Sequence, residues 1–533
     1  MKTHKLISPA VTLLACCSAL SLSGPAVSHE NIGDVNFPIS CTAESQKAFN
    51  HAVAMLHNFW FPQAGTAFAE IAKWEPQCAM AYWGTAISAR SNPLVGAPPA
   101  AAIKRGWEEV EKAKAAGGKT QRELDYIAAL ELYYKDPEIR DFPPRVLAYE
   151  KAMEQLSARH PDDVEAAVFY ALALNEGITV APADKNYARH LKAAGITLKV
   201  LAKQADHPGA LHYLIHSYDF PGLADRGLAA ANQYASVAPS APHALHMPSH
   251  IYSMLGMWEE SIKSNVAAIG VAKGYVHAID FMVYAHLQMG QDREALRLLE
   301  NTAVLQKSGP AALRSPTGAL LTVYTAYAAI PARYAIERSD WAAAAALVMT
   351  PTAPPADAIT HFTRAMAFAR LGEIAKADKE LASLQALRDE LTTAKDTYWA
   401  EQVDIQHKAA SAWVAHAQGN RADALKLMRT AADLEDGSEK HVAMENRLWP
   451  MRELLGDLLL ELKQPGPALK EYEKSLREAR NRLHGFYGAA RAAEASGNRQ
   501  KAAEFYRKLV ALTTRADSDR WEVQQAKAFL AGR

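Results

Sequence analysis

Apolar residues recur at helical spacing (i, i+3, i+4, i+7) from Thr42 to the C-terminus, and no stretch alternates in the Val/Ile/Thr-rich manner of a strand. The pattern predicts an all-α chain. Proline interrupts it at Asn92 to Pro99 and at Pro351 to Pro355, where a helix cannot continue, so these are the expected breaks in the array. The organisation expected is a leader over 1–28, helical repeats over 29–200, a central block over 201–345 and a further block over 346–533.

The helical pattern repeats. The segment from Pro208 to Tyr218 aligns with that from Pro242 to Tyr252, with the prolines, an Ala-Leu pair, two histidines and the tyrosines all 34 residues apart. Gly222, Gly256 and Gly290 keep the same interval, as do Ala468 and Ala502, and Tyr472 and Tyr506. Several segments share a turn followed by a helix with small residues in register, among them Gly256-Met-Trp-Glu-Glu-Ser-Ile262, Gly290-Gln-Asp-Arg-Glu-Ala295, Gly372 with Ala377, Gly419 with Ala424, and Gly497 with Ala502.

In these features the chain resembles the tetratricopeptide repeat family, whose unit is a pair of antiparallel helices. The resemblance covers nearly all of the chain after the leader. It implies an α-solenoid of helix hairpins wound into a right-handed superhelix, with the first helix of each unit lining a concave groove. Because the family is dominated by interaction modules, it also implies a peptide or partner protein in that groove, and a small-molecule ligand there is the other expectation.

Family numbering places the inner-facing positions 2, 5 and 9 of three successive units at Gly209, His212 and His216, then His243, His246 and His250, then His277, Asp280 and Tyr284. Neighbouring units offer Glu165 and Arg333, and a later one Glu453. Histidines at i and i+4 lie one above the other on a helix, the spacing that presents two imidazoles to one metal ion. Here the pair occurs on two adjacent helices, at distances from which imidazoles can share an ion. Of the 19 histidines, eight fall between His207 and His286, where an even spread would place about three.

The expected site is a transition-metal centre with His212, His216, His246, His250 and Asp280 as ligands and Tyr284 as a proton donor or acceptor. Glu165, His243, His277, Arg333 and Glu453 stand as second-rank ligand-binding residues. Zinc or copper suits imidazole ligation, and iron enters if Asp280 or Glu165 coordinates. Three other readings stand beside it: a metal-free histidine-lined pocket, a proton-sensitive clamp, and histidines that are simply hydrogen-bonded within the core. Pro248 bears on the choice, because a helix beginning there would leave His243 in a loop and loosen the pairing of His246 with His250. A non-enzymatic scaffold that binds a partner in its groove is the rival to a metal-dependent enzyme.

Other chemistries are excluded or weak. Lys and Arg number 58 against 58 Asp and Glu, so no basic excess marks a nucleic-acid binder. Gly117-Gly118-Lys119-Thr120 ends like a phosphate loop, but Ala113 replaces the first glycine and a helical pattern precedes it; no nucleotide cofactor is expected. Met247 and Tyr213 follow the first histidine of each pair where a zinc-protease helix carries Glu.

The first 28 residues read as a secretory signal: a cationic start at Lys2 and Lys5, an apolar stretch from Val11 to Leu22, and a small-residue site at Ala26-Val27-Ser28. A lipoprotein reading, with an anchor at Cys16, is the alternative. A periplasmic or secreted location follows, without a transmembrane segment. Cys41 and Cys78 then remain, each at the same end of a helix hairpin (Thr42 to Phe59, Pro62 to Trp74), which predicts a disulfide. Closing that loop stabilises by roughly 3–4 kcal/mol in the chain-entropy model.

Overall fold

The structure is a computed structural model that describes Met1 and residues 30–139, 141–308, 315–444 and 446–532. The expected signal and its Cys16 alternative lie outside the described residues. Residues 31–533 form one compact unit, with 26 α-helices and no strand among the described residues. Each helix packs chiefly on its neighbours in sequence, as a solenoid of antiparallel hairpins requires. The fold is an all-α solenoid of helix hairpins, the architecture that the resemblance implied.

Local sequence explains the units. Thr42 caps the helix Ala43–His57 by accepting from the Ser45 amide, and the helix Phe61–Trp74 returns antiparallel to it. The two helices bring Cys41 and Cys78 together in a disulfide, Cα to Cα 5.6 Å. Gly256 and Gly290, 34 residues apart, close inner helices at φ of +69° and +70°, a backbone conformation that side chains resist. The Gly117 to Thr120 stretch is a turn in which Thr120 and Glu123 form a capping box for the helix Gln121–Tyr134. The stretch Asn92 to Pro99 lies between helices, whereas Pro354 and Pro355 form the first turn of the helix Pro354–Arg370. The core passes across residue 200, since one apolar cluster runs from Ile32 to Tyr252.

The array does not stay open. Arg480 pairs with Asp225 at 2.8 Å, the Trp258 indole donates to the Asn481 carbonyl at 2.9 Å, and Arg520 holds Asp292 at 2.9 Å. The amides of Arg293 and Glu294 donate to Asp517. Late repeats are thus locked against central ones. A segment within 437–450 also crosses the concave side: Lys185 donates to the Ser438 carbonyl, Thr325 to that of Ala443 and Arg333 to that of Arg447. In consequence the inner helices Pro208–Tyr218 and Val276–Gln288 are buried on every face, and the polar side chains they carry are buried with them.

No described helix is long and apolar enough to cross a membrane.

Candidate metal centre

Three consecutive inner helical stretches build the centre. The helix Pro208–Tyr218 carries His212 and His216; the pair Pro242–His246 and Pro248–Leu255 carries His243, His246 and His250; Val276–Gln288 carries His277. Pro248 divides the middle stretch without unwinding it, because Met247 between the two pieces keeps helical angles of −53° and −35°. His246 and His250 therefore remain on one face, against the loosening that Pro248 led us to expect.

The six rings fall into two triads. His212, His216 and His243 place one nitrogen each within 4.8 Å of one another, and so do His246, His250 and His277. None of the six is more than 5% exposed. In the first triad, Nε2 of all three rings is buried without a hydrogen-bond partner among the described residues. One tautomer is fixed: His212 Nδ1 lies 2.6 Å from the His57 carbonyl, which can only accept, so its proton sits there and Nε2 presents a lone pair. His243 is oriented by the Tyr275 hydroxyl, 3.1 Å from Nδ1. Phe59 supplies an apolar wall, stacked on His243 at 5.3 Å and on His216 at 5.6 Å, and reaches that position through a left-handed backbone at φ of +51°.

The second triad poses a sharper problem. Asn265 Nδ2 donates to the Ser261 carbonyl, so its Oδ1 faces His246 Nδ1 at 2.6 Å and accepts a hydrogen bond from that ring's Nδ1–H. His250 Nδ1 donates to Asp219 at 2.8 Å. The two Nε2 atoms then meet at 3.0 Å, lone pair against lone pair, unless a proton or a cation lies between them. Two imidazoles on one metal ion, each at ~2.0–2.1 Å, stand roughly 3.3 Å apart. His277 Nδ1 is buried without a partner among the described residues.

Burial keeps five of these rings neutral, the form that ligates. It pushes the imidazolium pKa of His212 and of His277 down to about 3, and those of His216, His243 and His246 well below the ordinary value.

The carboxylates expected here are engaged elsewhere. Asp280 faces Arg333 at 2.9 Å, and Arg333 also donates to the carbonyls of Asn446 and Arg447, so the pair clamps the crossing segment. Burial pushes the Asp280 carboxyl up despite that guanidinium. Tyr284 accepts from Arg482 at 2.7 Å, and Arg482 also pairs with Glu453 at 2.8 Å and Glu337 at 2.9 Å, a separate ion-pair cluster. Glu165 pairs with His57 at 2.7 Å and His207 at 3.1 Å in a third buried cluster. Of the five ligands first expected, the four histidines meet and Asp280 does not join them; His243 and His277 complete the triads.

Sequence reasoning missed His57, His207, Asp219, Phe59, Tyr275 and Asn265. Asp219 alone carried a local signal, one helical turn beyond His216. His57 and Phe59 arrive from the first hairpin, whereas His207, Tyr275 and Asn265 lie within the central repeats themselves.

A cavity of about 400 Å³ opens beside the first triad. Its walls include His216, Asp219, His190, Phe220, Tyr398 and Lys440. Lys440 reaches Asp219 at 2.5 Å, on the side of that carboxylate's contact with His250. His190 is buried with neither ring nitrogen partnered among the described residues, and burial lowers its pKa to about 4.

No protein-family model matches the chain. Nor does any curated protein. Solved structures similar to it include the Naa15/Naa10 complex bound to HypK-THB, at 12% identity over 91% of this chain and 72% of that one, with a TM-score of 0.24. The Cut9-Hcn1 hetero-tetramer of the APC/C shares 13% identity over 92% and 90%, with a TM-score of 0.36. A tetratricopeptide repeat protein from Parabacteroides merdae ATCC 43184 shares 12% over 65% and 98%, with a TM-score of 0.24.

Proposed function

We propose that this is an exported metalloprotein whose six central histidines hold transition-metal ions, and that it uses them as an enzyme on a small molecule entering by the adjoining cavity. One observation carries the reading: His212, His216 and His243 each bring one ring nitrogen within 4.8 Å of the others, and the Nε2 of each ring is buried without a hydrogen-bond partner among the described residues. A buried polar atom left unsatisfied costs about 1–3 kcal/mol, and three gathered at one point are accounted for by a common ligand. The donor set favours copper or zinc. At these two triads iron loses its support, since Asp280 is paired with Arg333.

Three features support the enzymatic side. The triads supply three protein ligands each, the number that leaves a position open to substrate. The cavity beside His216 is of ligand size. The concave side, where a partner peptide would lie in a scaffold, is crossed by the chain's own 437–450 segment. The disulfide between Cys41 and Cys78 accords with an oxidising compartment.

The test is plasma mass spectrometry of the untagged protein beside a His216→Ala/His250→Ala double variant. The reading expects stoichiometric copper or zinc in the wild type and its loss from the folded variant. A wild type that stays metal-free after reconstitution with both ions would refute it.

A further inference from the structure

Resting on the metal reading above, the geometry points to a single dinuclear copper centre that takes up dioxygen, rather than two independent metal sites.

Proximity is the first argument. The triads are contiguous: His243 and His246 have ring centroids 5.9 Å apart, and His216 and His250 6.1 Å. Ions held by the two triads share one buried pocket and act on the same bound molecule, as two-metal sites do at separations of ~3.5–4 Å.

Coordination number is the second. Each triad offers three nitrogens, whereas a structural zinc site closes with four protein ligands. Three imidazoles are a complete shell for cuprous copper.

Charge is the third. Among the described residues neither triad contains a carboxylate, and Asp219, which orients His250, is shared with Lys440. Two dications would bring four positive charges into a pocket whose described ligands are imidazoles, a burial that costs heavily without compensation. Two cuprous ions bring half of that.

The chemistry then balances within the pocket. Each cuprous ion gives up one electron and becomes cupric; dioxygen accepts both, its O–O double bond falls to a single bond, and it becomes a peroxide dianion between the ions. No proton or outside reductant enters this step. The two new positive charges are matched by the two negative charges of peroxide, so the net charge buried in the pocket is the same before and after. The Phe59 wall and the closed concave side keep water away, and the cavity beside His216 is the way in.

The experiment uses the full-length, disulfide-bonded protein stripped of metal, loaded with cuprous ion under anaerobic conditions, freed of excess and then exposed to dioxygen. The expected result is about two copper ions per chain, about one dioxygen consumed per two coppers, and an oxidised product without the electron paramagnetic resonance signal of isolated cupric ions, because the two spins pair. His212→Gln and His277→Gln, each shown folded by circular dichroism, should each fall to about one copper per chain and show the isolated cupric signal. Wild-type protein holding a single copper, two coppers with isolated cupric signals, or no dioxygen uptake would each overturn the inference. If the same sample takes up zinc but no copper, this inference fails and the metal reading stands. If it binds neither, both fail. The wild-type stoichiometry and spin state decide the matter even where a variant does not fold.

Discussion

Two buried histidine clusters meet at the start of the helix Pro208–Tyr218, and they solve the same problem in opposite ways. In one, Glu165 faces His57 Nε2 and His207 Nε2, the Tyr213 hydroxyl covers His57 Nδ1, and the Ala210 amide donates to His207 Nδ1. Every ring nitrogen has a partner and one carboxylate serves both rings. Burial opposes the charge on Glu165, yet the two imidazoles hold its pKa down to about 2. In the other, His212, His216 and His243 are as deeply buried and bring no acid, and each leaves Nε2 without a partner among the described residues. The first cluster is complete as protein. The second leaves three ring nitrogens without a partner among the described residues, and that difference, not the number of histidines, is what the proposed metal reading rests on.

The largest effect should come from breaking the satisfied cluster. Glu165→Ala removes two charge-assisted hydrogen bonds and strands two buried rings, which costs about 4 kcal/mol. Urea denaturation should show that loss while copper or zinc content per folded chain stays at the wild-type level; loss of metal in step with Glu165 would make the two clusters one site.

Asp280→Ala sharpens the comparison from the other side. It leaves the buried Arg333 guanidinium without its acid, so stability should fall by about 3 kcal/mol, again with metal retained. Metal loss would return Asp280 to the ligand set that the sequence suggested.

A smaller effect is expected within the triad itself. His216→Leu replaces an unsatisfied polar group with an apolar one, so metal-free stability should change by less than about 1 kcal/mol. The stabilisation that wild type gains from metal, about 4 kcal/mol at a thousandfold excess over Kd, should shrink sharply in thermal melts.

The smallest concerns a histidine that is paired, and charged for that reason. His484 contacts Asp457 at 3.0 Å; burial opposes its charge, but Asp457 raises its pKa to about 9. Its folded pKa exceeds the unfolded value near 6.5, so the contribution is fully present below about pH 6.5 and is lost as pH rises through about 9. His484→Gln should flatten that alkaline decline. An unchanged slope between pH 7 and 9.5 would remove His484 from the account.

The sequence made the fold legible because a 34-residue register is a local property: the same glycines, small residues and histidines return at fixed intervals. It made the four i, i+4 histidines legible for the same reason, and placed His243 and His277 on the same face. It misassigned the company they keep. Asp280 and Tyr284 occupy inner positions like the histidines, but what each meets there is set by the crossing segment and by Arg482, more than a hundred residues away. His57 and Glu165 come together across 108 residues, a distance at which spacing carries no information. Periodicity tells which side chains point inward; closure of the superhelix decides which of them find a partner.

The crossing segment also imposes an order in time. The chain emerges from its N-terminus, so the helices bearing all six histidines exist before residues 437–450 have been made, and before the late repeats lock onto Asp225, Trp258 and Asp292. On the metal reading proposed above, an ion arriving while the central repeats stand alone would meet an open groove, and one arriving after closure would reach the histidines through the cavity beside His216.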